Sequence, residues 1–295
     1  MKIILSRKGF DSSNGGVPSP ILPGGRLISL PIPSRQDKRL LGSLSLPRID
    51  LAKVASDLTN GNINARTSIH LDPDLNPGIV ARSCGWRPAF GQSKAAQRHL
   101  ENQGVGLGDL FLFYGWFRQV EIINGTFRFA RNAPDLHVIY GWLQVGEAWY
   151  ISEARAQLLA KHPALAGHPH LASREKYSDP SHNLNTLYVG ADHLLLDGQR
   201  KLHKWGAGVF EKLADCRTLT KTGMTRRFWR LPKWMMPRGS RRPLSYHKSS
   251  GAWTLCDDHA VLRSACIGQE FVLDCDHYPE ALAWAYKMIA NEHKR

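Results

Sequence analysis

The fold expected for this chain is decided by residues 107–117, which read LGDLFLFYGWF, together with residues 137–147, which read HVIYGWLQVGE. Both stretches are rich in aromatic and β-branched residues, which favour strands. In each, a glycine follows the apolar core, and glycine within a strand often marks a bend or a bulge. We therefore predict that the two stretches pair as strands of a small, bent sheet or barrel.

Apolar residues at helical spacing flank these strands and predict helices over 47–58, 93–103, 151–161 and 279–292. A short β-branched run at residues 2–6 predicts a further strand. The expected fold class is α+β, with a central bent, mainly antiparallel sheet or small barrel, surrounding helices and long loops. Residues 1–295 are expected to form a single domain with a barrel-like central part at about 105–150 and a basic C-terminal part at about 186–295.

The charge of the chain restricts its partners. Its formal net charge is +14, which favours polyanions, so we expect nucleic acid or a nucleotide as the partner. A membrane is not expected, because no apolar run approaches the roughly 20 residues that cross a bilayer. The apolar stretch at residues 1–5 is too short for a signal peptide, and five scattered cysteines suit a reducing compartment, so a cytoplasmic location is expected.

Much of the positive charge falls within residues 217–248, the basic segment, which contains ten Lys or Arg and no Asp or Glu. Trp229 and Trp234 lie between these cations. Cations for a phosphate backbone and flat rings for bases are typical of a nucleic-acid groove. A solvated basic face is the alternative.

A polar loop follows the first strand. It supplies hydroxyls, backbone donors and two cations beside one another, which suits a phosphate or a sugar oxygen, although its spacing matches neither a P-loop nor a dinucleotide fingerprint. A solvated turn is the alternative. The candidate binding residues are Ser6, Arg7, Lys8, Ser12, Gly15 and Gly16, with Asp11 as a candidate acid or base.

A second polar motif places His70 and Asp72 at alternate positions of an extended segment. Alternate side chains of a strand project to the same side, where these two could share a metal, a ribose or a proton. Pro73 interrupts the alternation, and an Asp-Pro-Asp turn over residues 72–74 explains the motif equally well.

The other histidines and cysteines do not predict a metal site, because their spacing fits no standard zinc finger or ribbon. We therefore expect no metal ligand, and the sequence indicates no cofactor. Three histidines are separated by Pro and Gly and are expected to be solvated: His162, His168 and His170. The discounted zinc ligands are Cys256, His259, Cys266, Cys275 and His277.

Several motifs together resemble the nucleotide modification associated domain 3 family. The motifs are residues 6–12 (SRKGFDS), 70–75 (HLDPDL), 108–118 (GDLFLFYGWFR), 229–234 (WRLPKW), 244–247 (LSYH) and 268–272 (GQEFV). The resemblance implies a role in modifying nucleotides or bases, with no specified reaction. A local resemblance of residues 108–114 and 138–147 to PUA-like modules such as the EVE domain implies a bent barrel that holds modified bases or RNA.

These observations combine into a hypothesis of a nucleotide- or base-modifying enzyme. Its predicted catalytic residues are Asp11, His70 and Asp72, and Arg118 joins the first loop as a substrate contact. Rings expected to stack on a base or shape the pocket are Tyr114, Trp116, Trp229 and Trp234. A non-catalytic reader of modified bases, RNA or DNA is the first alternative, and an interaction subunit that docks an acidic partner is the second.

Overall fold

The computed structural model describes residues 1–172, 184–196, 206–266 and 270–290. The helices in these residues are α1 (Leu51–Leu58), α2 (Lys94–Asn102), α3 (Ile151–Lys161), α4 (Pro169–Ala172) and α5 (Glu280–Ala290). The strands are β1 (Lys2–Arg7), β2 (Ser19–Ile21), β3 (Ile32–Pro33), β4 (Ile69–His70), β5 (Ala89–Ser93), β6 (Leu110–Ile123), β7 (Thr126–Phe129), β8 (Leu136–Tyr150), β9 (Asn185–Gly190), β10 (Ala207–Val209), β11 (Phe228–Pro232), β12 (Trp253–Leu255), β13 (His259–Arg263) and β14 (Glu270–Asp274). None of the described helices has the length and apolar character needed to cross a membrane.

The main sheet has the strand order β14-β1-β6-β8-β9-β5, with β2 and β7 paired to β6 and β10 paired to β8. Strand β1 is parallel to β6, and so is β2, whereas the other pairs in this sheet are antiparallel. The sheet does not close into a barrel. The predicted α+β class with a mainly antiparallel sheet is therefore confirmed, and of its two forms the open sheet is the one found.

A bulge bends the two strands that decide the fold. In the β6–β8 pairing, Phe113 lies opposite Gly141 and Tyr114 lies opposite Ile139, so Tyr140 is an extra residue on β8. A bulge of this kind increases the local twist and redirects side chains. The bend predicted from the glycines is present, and it turns the Tyr140 side chain toward a cavity described below.

Alternate residues of the central strands pack on opposite faces of the sheet, as the period of two requires. Leu5 and Tyr114 belong to one core cluster, which also contains Trp229 and residues of α5. Ile4 and Phe113 belong to a second cluster on the other face. The three-stranded sheet β11-β13-β12 contributes Trp229 to the first cluster, so part of the basic segment forms the core.

Residues 162–185 are rich in His, Pro, Ser and Asn, a composition that predicts one long loop, and the structure differs from this prediction. Residues 169–172 form α4, which packs against β5 and β9, while residues 173–183 of the predicted loop lie outside the described residues. Leu165 and Leu171 anchor this turn of chain in a cluster with Leu187. The apolar run at residues 193–196 (HLLL) also predicts a strand. This prediction is wrong, because those residues form bends and an isolated bridge.

Candidate functional site

The segment after β4 carries Asp72 alongside the edge strand β5. Asp74 and Ala89 exchange two backbone hydrogen bonds of 2.9 and 3.1 Å. Two residues earlier, Oδ1 of Asp72 accepts a hydrogen bond of 2.7 Å from the backbone amide of Gly91. The turn predicted at 72–74 is thus held by β5, and it presents the Asp72 carboxylate at a fixed point on the sheet edge.

Two histidines from the region around α4 meet this carboxylate. Nε2 of His168 lies 3.4 Å from Asp72 Oδ1, and Nε2 of His170 lies 3.9 Å from Asp72 Oδ2. Both histidines are buried, because α4 packs onto the sheet, so the prediction that they are solvated is wrong. The His170 ring rests on Gly91, where a Cβ would lie only 2.3 Å from the ring.

His70 completes what we call the histidine cluster, which consists of His70, Asp72, His168 and His170. The predicted pair of His70 and Asp72 does come together, since a nitrogen of His70 lies within 4.8 Å of ligand atoms of both Asp72 and His170. Among the residues that the structure describes, these three form a group whose ligand atoms are close enough together to hold a metal ion. The five cysteines are free thiols outside it.

Two outer residues orient the histidine rings. Nδ1 of His70 lies 2.8 Å from Asp37 Oδ2, and Nδ1 of His170 lies 2.6 Å from Asn185 Oδ1. Asn185 also donates a hydrogen bond of 3.2 Å to the backbone carbonyl of His170. Because an oxygen acceptor holds the proton on Nδ1, the lone pair of each ring lies on Nε2.

Burial and charge set the protonation states of the cluster. Burial raises the pKa of Asp72, but the neighbouring His168, His170 and His70 outweigh it, so the pKa lies well below its usual value. Burial lowers the pKa of His170 to about 3, despite the opposing charge of Asp72. At neutral pH the cluster therefore contains a carboxylate beside a neutral imidazole.

A cavity of about 330 Å³ opens over Asp72. Its polar lining includes Ser29 and Tyr140, and its walls include several apolar side chains such as Leu75. Burial raises the pKa of Tyr140, as do the charges of Asp72 and Glu270, while a hydrogen bond to Ser29 acts in the opposite direction. Three residues with carboxylates, Asp72, Asp74 and Glu211, and two with hydroxyls thus line the cavity.

Besides the histidine cluster, the protein contains a second set of buried polar side chains, which surrounds Glu270. Nζ of Lys8 lies 2.8 Å from Oε1 of Glu270, which also accepts a hydrogen bond of 2.5 Å from Gln92 Nε2. Ser6 lies opposite Glu270 across the β1–β14 ladder and is fully buried. The Lys8 ammonium is engaged inside the protein, so the structure does not place Lys8 or Ser6 where a phosphate was predicted to bind.

In the loop after β1, the predicted acid Asp11 forms its hydrogen bonds within the loop. Oδ1 of Asp11 accepts hydrogen bonds of 2.8 and 2.7 Å from the backbone amides of residues 13 and 14, which caps the turn. Ser12 and Gly16 are exposed. Gly15 lies against the Phe10 ring with φ near +94°, a combination that favours glycine. The loop reaches the cavity through Gly9, which lines it beside Asp72.

The two predicted arginines are far apart along the sheet. Arg7 lies opposite Tyr114 in the β1–β6 ladder. Arg118 is four residues further along β6, which corresponds to roughly 13 Å at the usual rise of a strand. Arg118 lies 4.0 Å from Asp135 and contacts the backbone of the neighbouring hairpin at Ala130. The two side chains are therefore not placed to hold one phosphate.

The predicted stacking rings fall into two groups. Tyr114 and Trp229 are 1% and 0% exposed and meet edge to face at 5.1 Å, so the prediction that they stack on a base is wrong. Trp116 is half-buried beneath the Arg226 guanidinium at 4.0 Å, and Trp234 is half-buried against Trp284. The two fully buried rings pack in the hydrophobic core, because burial of large aromatic side chains stabilises it strongly.

The basic segment is partly neutralised by acids from elsewhere in the chain. Its ion pairs are Arg226 with Asp135 (3.3 Å), Arg230 with Asp258 (2.5 Å) and Arg241 with Glu280 (3.3 Å). Five exposed cations have no ion-pair partner within the described ranges: Arg227, Lys233, Arg238, Arg242 and Lys248. The predicted cationic surface is therefore reduced to these positions.

Sequence reasoning missed the residues that surround Asp72. Asp37, Asn185 and Tyr140 carry no motif, and they are brought in from distant parts of the chain. The extra position of Tyr140 follows from a bulge, which the nearby glycines indicated only in general terms. His168 and His170 were visible as a pair at alternate positions, the same signal that identified His70 and Asp72.

Comparison with known protein families gives a match that covers most of the chain. The sequence profile of nucleotide modification associated domain 3 matches residues 2–274, which includes every element from β1 to β14. No curated protein matches the chain. No solved structure matches it. Since the match covers most of the 295 residues, the chain belongs to the nucleotide modification associated domain 3 family.

Proposed function

We propose that this protein modifies a nucleotide or a base in nucleic acid, and that the reaction takes place at Asp72 on the floor of the 330 Å³ cavity. Membership of the family supports a role in nucleotide modification. The observation that carries the site is the position of Asp72, a residue of the cavity lining whose carboxylate contacts two buried histidines.

The size of the cavity favours a small substrate. Pockets that enclose small ligands usually measure about 300–1,000 Å³, so 330 Å³ suits a base or a nucleoside. A base that belongs to a nucleic acid would have to leave the stack to enter, as enzymes that act on bases commonly require. Arg26 lies on the cavity wall and supplies a cation for a phosphate at the entrance.

The groups around the cavity suit acid–base chemistry. Asp72 is anionic, because its pKa is lowered by the neighbouring histidines despite its burial. We assign Asp72 as the proton acceptor from its position in the cavity lining beside the histidine cluster, and the Ser29 and Tyr140 hydroxyls orient the substrate by hydrogen bonds. Asp74 lines the same cavity, but Arg82 holds both of its oxygens at 2.5 and 2.7 Å, so Asp74 has a structural role.

Asp72→Asn tests this assignment, with Asp11→Asn as its matched control. We expect Asp72→Asn to reduce turnover by about 100-fold or more, the usual range for loss of a general base. Asp11→Asn should retain activity, since the Asp11 carboxylate caps its own loop. The measurement is mass spectrometry of nucleosides released from DNA, RNA and a nucleotide panel after incubation with each variant.

Two results would contradict the proposal. One is equal loss of turnover in both variants, which would separate the reaction from the cavity. The other is that no nucleotide is altered by the wild-type protein under any condition of the panel.

A non-catalytic reader is the second candidate, and the five exposed cations of the basic segment that lack an ion-pair partner favour it. A reader would bind nucleic acid with an affinity that falls steeply as salt rises. It would also bind a modified base in the cavity and leave it unchanged. Retained binding by Asp72→Asn, together with no turnover by the wild-type protein, would support the reader.

A further inference from the structure

We propose that the histidine cluster is a metal centre, in which His70, Asp72 and His170 bind one divalent transition-metal ion. The ligand atoms of these three side chains lie within 4.8 Å of one another. The inference concerns binding of the ion, so it does not depend on the reaction proposed above. It departs from the sequence-based expectation of no metal ligand.

The spacing of the ligand atoms is close to that of a bound ion. Metal–ligand bonds of about 2.1 Å place two ligands of one ion at most about 4.2 Å apart. The widest separation here, 4.8 Å, exceeds this limit by about half an ångström. Small rotations of the side chains close that difference, whereas the backbone is already held by β4, β5 and α4.

The outer contacts are those that metal-binding histidines require. A histidine ligand usually donates its second ring N–H to a carboxylate or carbonyl oxygen, which fixes the ring and increases its basicity. For His70 this oxygen is Oδ2 of Asp37, which lies 2.8 Å from Nδ1. For His170 it is Oδ1 of Asn185, which lies 2.6 Å from Nδ1. Both histidine ligands therefore have an orienting oxygen.

His168 provides an independent indication that the cluster is built for a ligand. Its side chain is 1% exposed, and Nε2 lies 3.4 Å from Asp72 Oδ1. Nevertheless, Nε2 makes no hydrogen bond of acceptable geometry to the described residues. Nδ1 of His168 accepts a hydrogen bond of 3.3 Å from the backbone amide of His170, so Nε2 carries the proton. A buried N–H without a hydrogen bond carries a substantial desolvation cost, which a water bound to a neighbouring ion would remove by accepting that proton.

The donor set indicates the class of ion. Two imidazoles and one carboxylate suit Zn²⁺, Co²⁺ and Fe²⁺, whereas Mg²⁺ and Ca²⁺ prefer oxygen ligands alone. Three protein ligands leave at least one coordination position open. Asp72 lines the cavity, whereas none of the three histidines of the cluster does. The ion would therefore sit between the buried histidines and the proposed substrate site.

The test measures the bound ion in the full-length protein. After treatment with EDTA, the wild-type protein is titrated with Co²⁺, and the visible absorption of the complex is recorded; Zn²⁺ is then added in competition. We expect one Co²⁺ per chain and displacement by Zn²⁺. His70→Gln, Asp72→Asn and His170→Gln should each abolish the spectrum, with folding verified by circular dichroism.

Substitutions of the outer residues keep the test informative if the ligand variants do not fold. Asp37→Asn and Asn185→Ala retain all three ligands and should weaken Co²⁺ binding by about 10–100-fold. His162→Gln is the matched control, because His162 is a buried histidine of the same region that contacts Glu147 instead of Asp72. It should bind Co²⁺ as tightly as the wild-type protein.

The metal centre is overturned if the wild-type protein binds neither Co²⁺ nor Zn²⁺ stoichiometrically, or if His162→Gln weakens binding as much as Asp37→Asn does. A protein that binds Co²⁺ with the expected pattern and alters no nucleotide supports the metal centre while contradicting the proposed function. The two proposals can therefore fail separately.

Discussion

Polar side chains converge in the histidine cluster, whereas those of the basic segment point to separate places in the structure. In the cluster, four side chains from two separate stretches of chain converge in the interior around one carboxylate. In the basic segment, ten cations that are close in sequence disperse in space. Arg226, Arg230 and Arg241 turn to acids on other elements, and Trp229 enters the core.

This difference shows that density along the sequence is a poor guide to density in space. A run of like charges repels itself and is relieved when its members find separate partners. A buried carboxylate has the opposite requirement, since burial is costly unless hydrogen bonds or opposite charges surround it. The folded chain therefore spreads the basic segment and concentrates polar groups around Asp72.

The largest expected effect comes from Trp229→Ala, which tests whether this ring belongs to the core. We expect the free energy of unfolding to fall by about 3–5 kcal/mol, because the substitution leaves a large cavity beside Tyr114 and Phe271. Denaturant unfolding measures this change. Trp234→Ala, at a half-buried position, should cost less. Equal stability of Trp229→Ala and the wild-type protein would make Trp229 a candidate binding residue again.

Gly91→Ala tests the packing of the histidine cluster and should have an intermediate effect. The added Cβ would lie 2.3 Å from the His170 ring, so the ring must move. Overpacking of this kind usually costs about 1–3 kcal/mol of unfolding free energy. Gly106→Ala is the control, because its Cβ would meet open space. Similar thermal denaturation of both variants would show that His170 is not held against β5.

The smallest effect is expected for the exposed cations, whose role can be separated from that of the paired cations. Replacing Arg227, Arg238 and Arg242 together by Gln should make the slope of log affinity against log salt shallower, by about 1 for each phosphate that these side chains bind. Replacing the paired Arg226, Arg230 and Arg241 should change the slope less. Fluorescence anisotropy with a labelled single-stranded oligonucleotide measures both. An unchanged slope in the first variant would show that these three arginines of the basic segment do not bind phosphates.

Much of the fold could be predicted from the sequence, because its strongest patterns are local. The strands at 107–117 and 137–147 pair as expected, and four predicted helices correspond to α1, α2, α3 and α5. These patterns reflect the periods of strands and helices, which depend on neighbouring residues. The short α4 was missed, since its four residues, Pro169–Ala172, carry too little periodicity.

Less of the candidate site could be predicted. His70 and Asp72 share one side of an extended segment, and that local geometry was enough to place them together. Asp11 looked equally suitable in sequence, but its carboxylate is used by its own turn. The sequence favours a solvated His168, because nothing within its own segment shows that α4 packs on the sheet.

By itself, the sequence determined the class of fold, the strands of its central sheet and the pairing of His70 with Asp72, because each follows from residues within a few positions of one another. Only the tertiary structure decided that His168, His170, Asp37 and Asn185 surround that pair. It also decided which cations of the basic segment stay exposed. These outcomes depend on contacts across more than a dozen residues, which arise when helices pack on the sheet and buried charges find their partners.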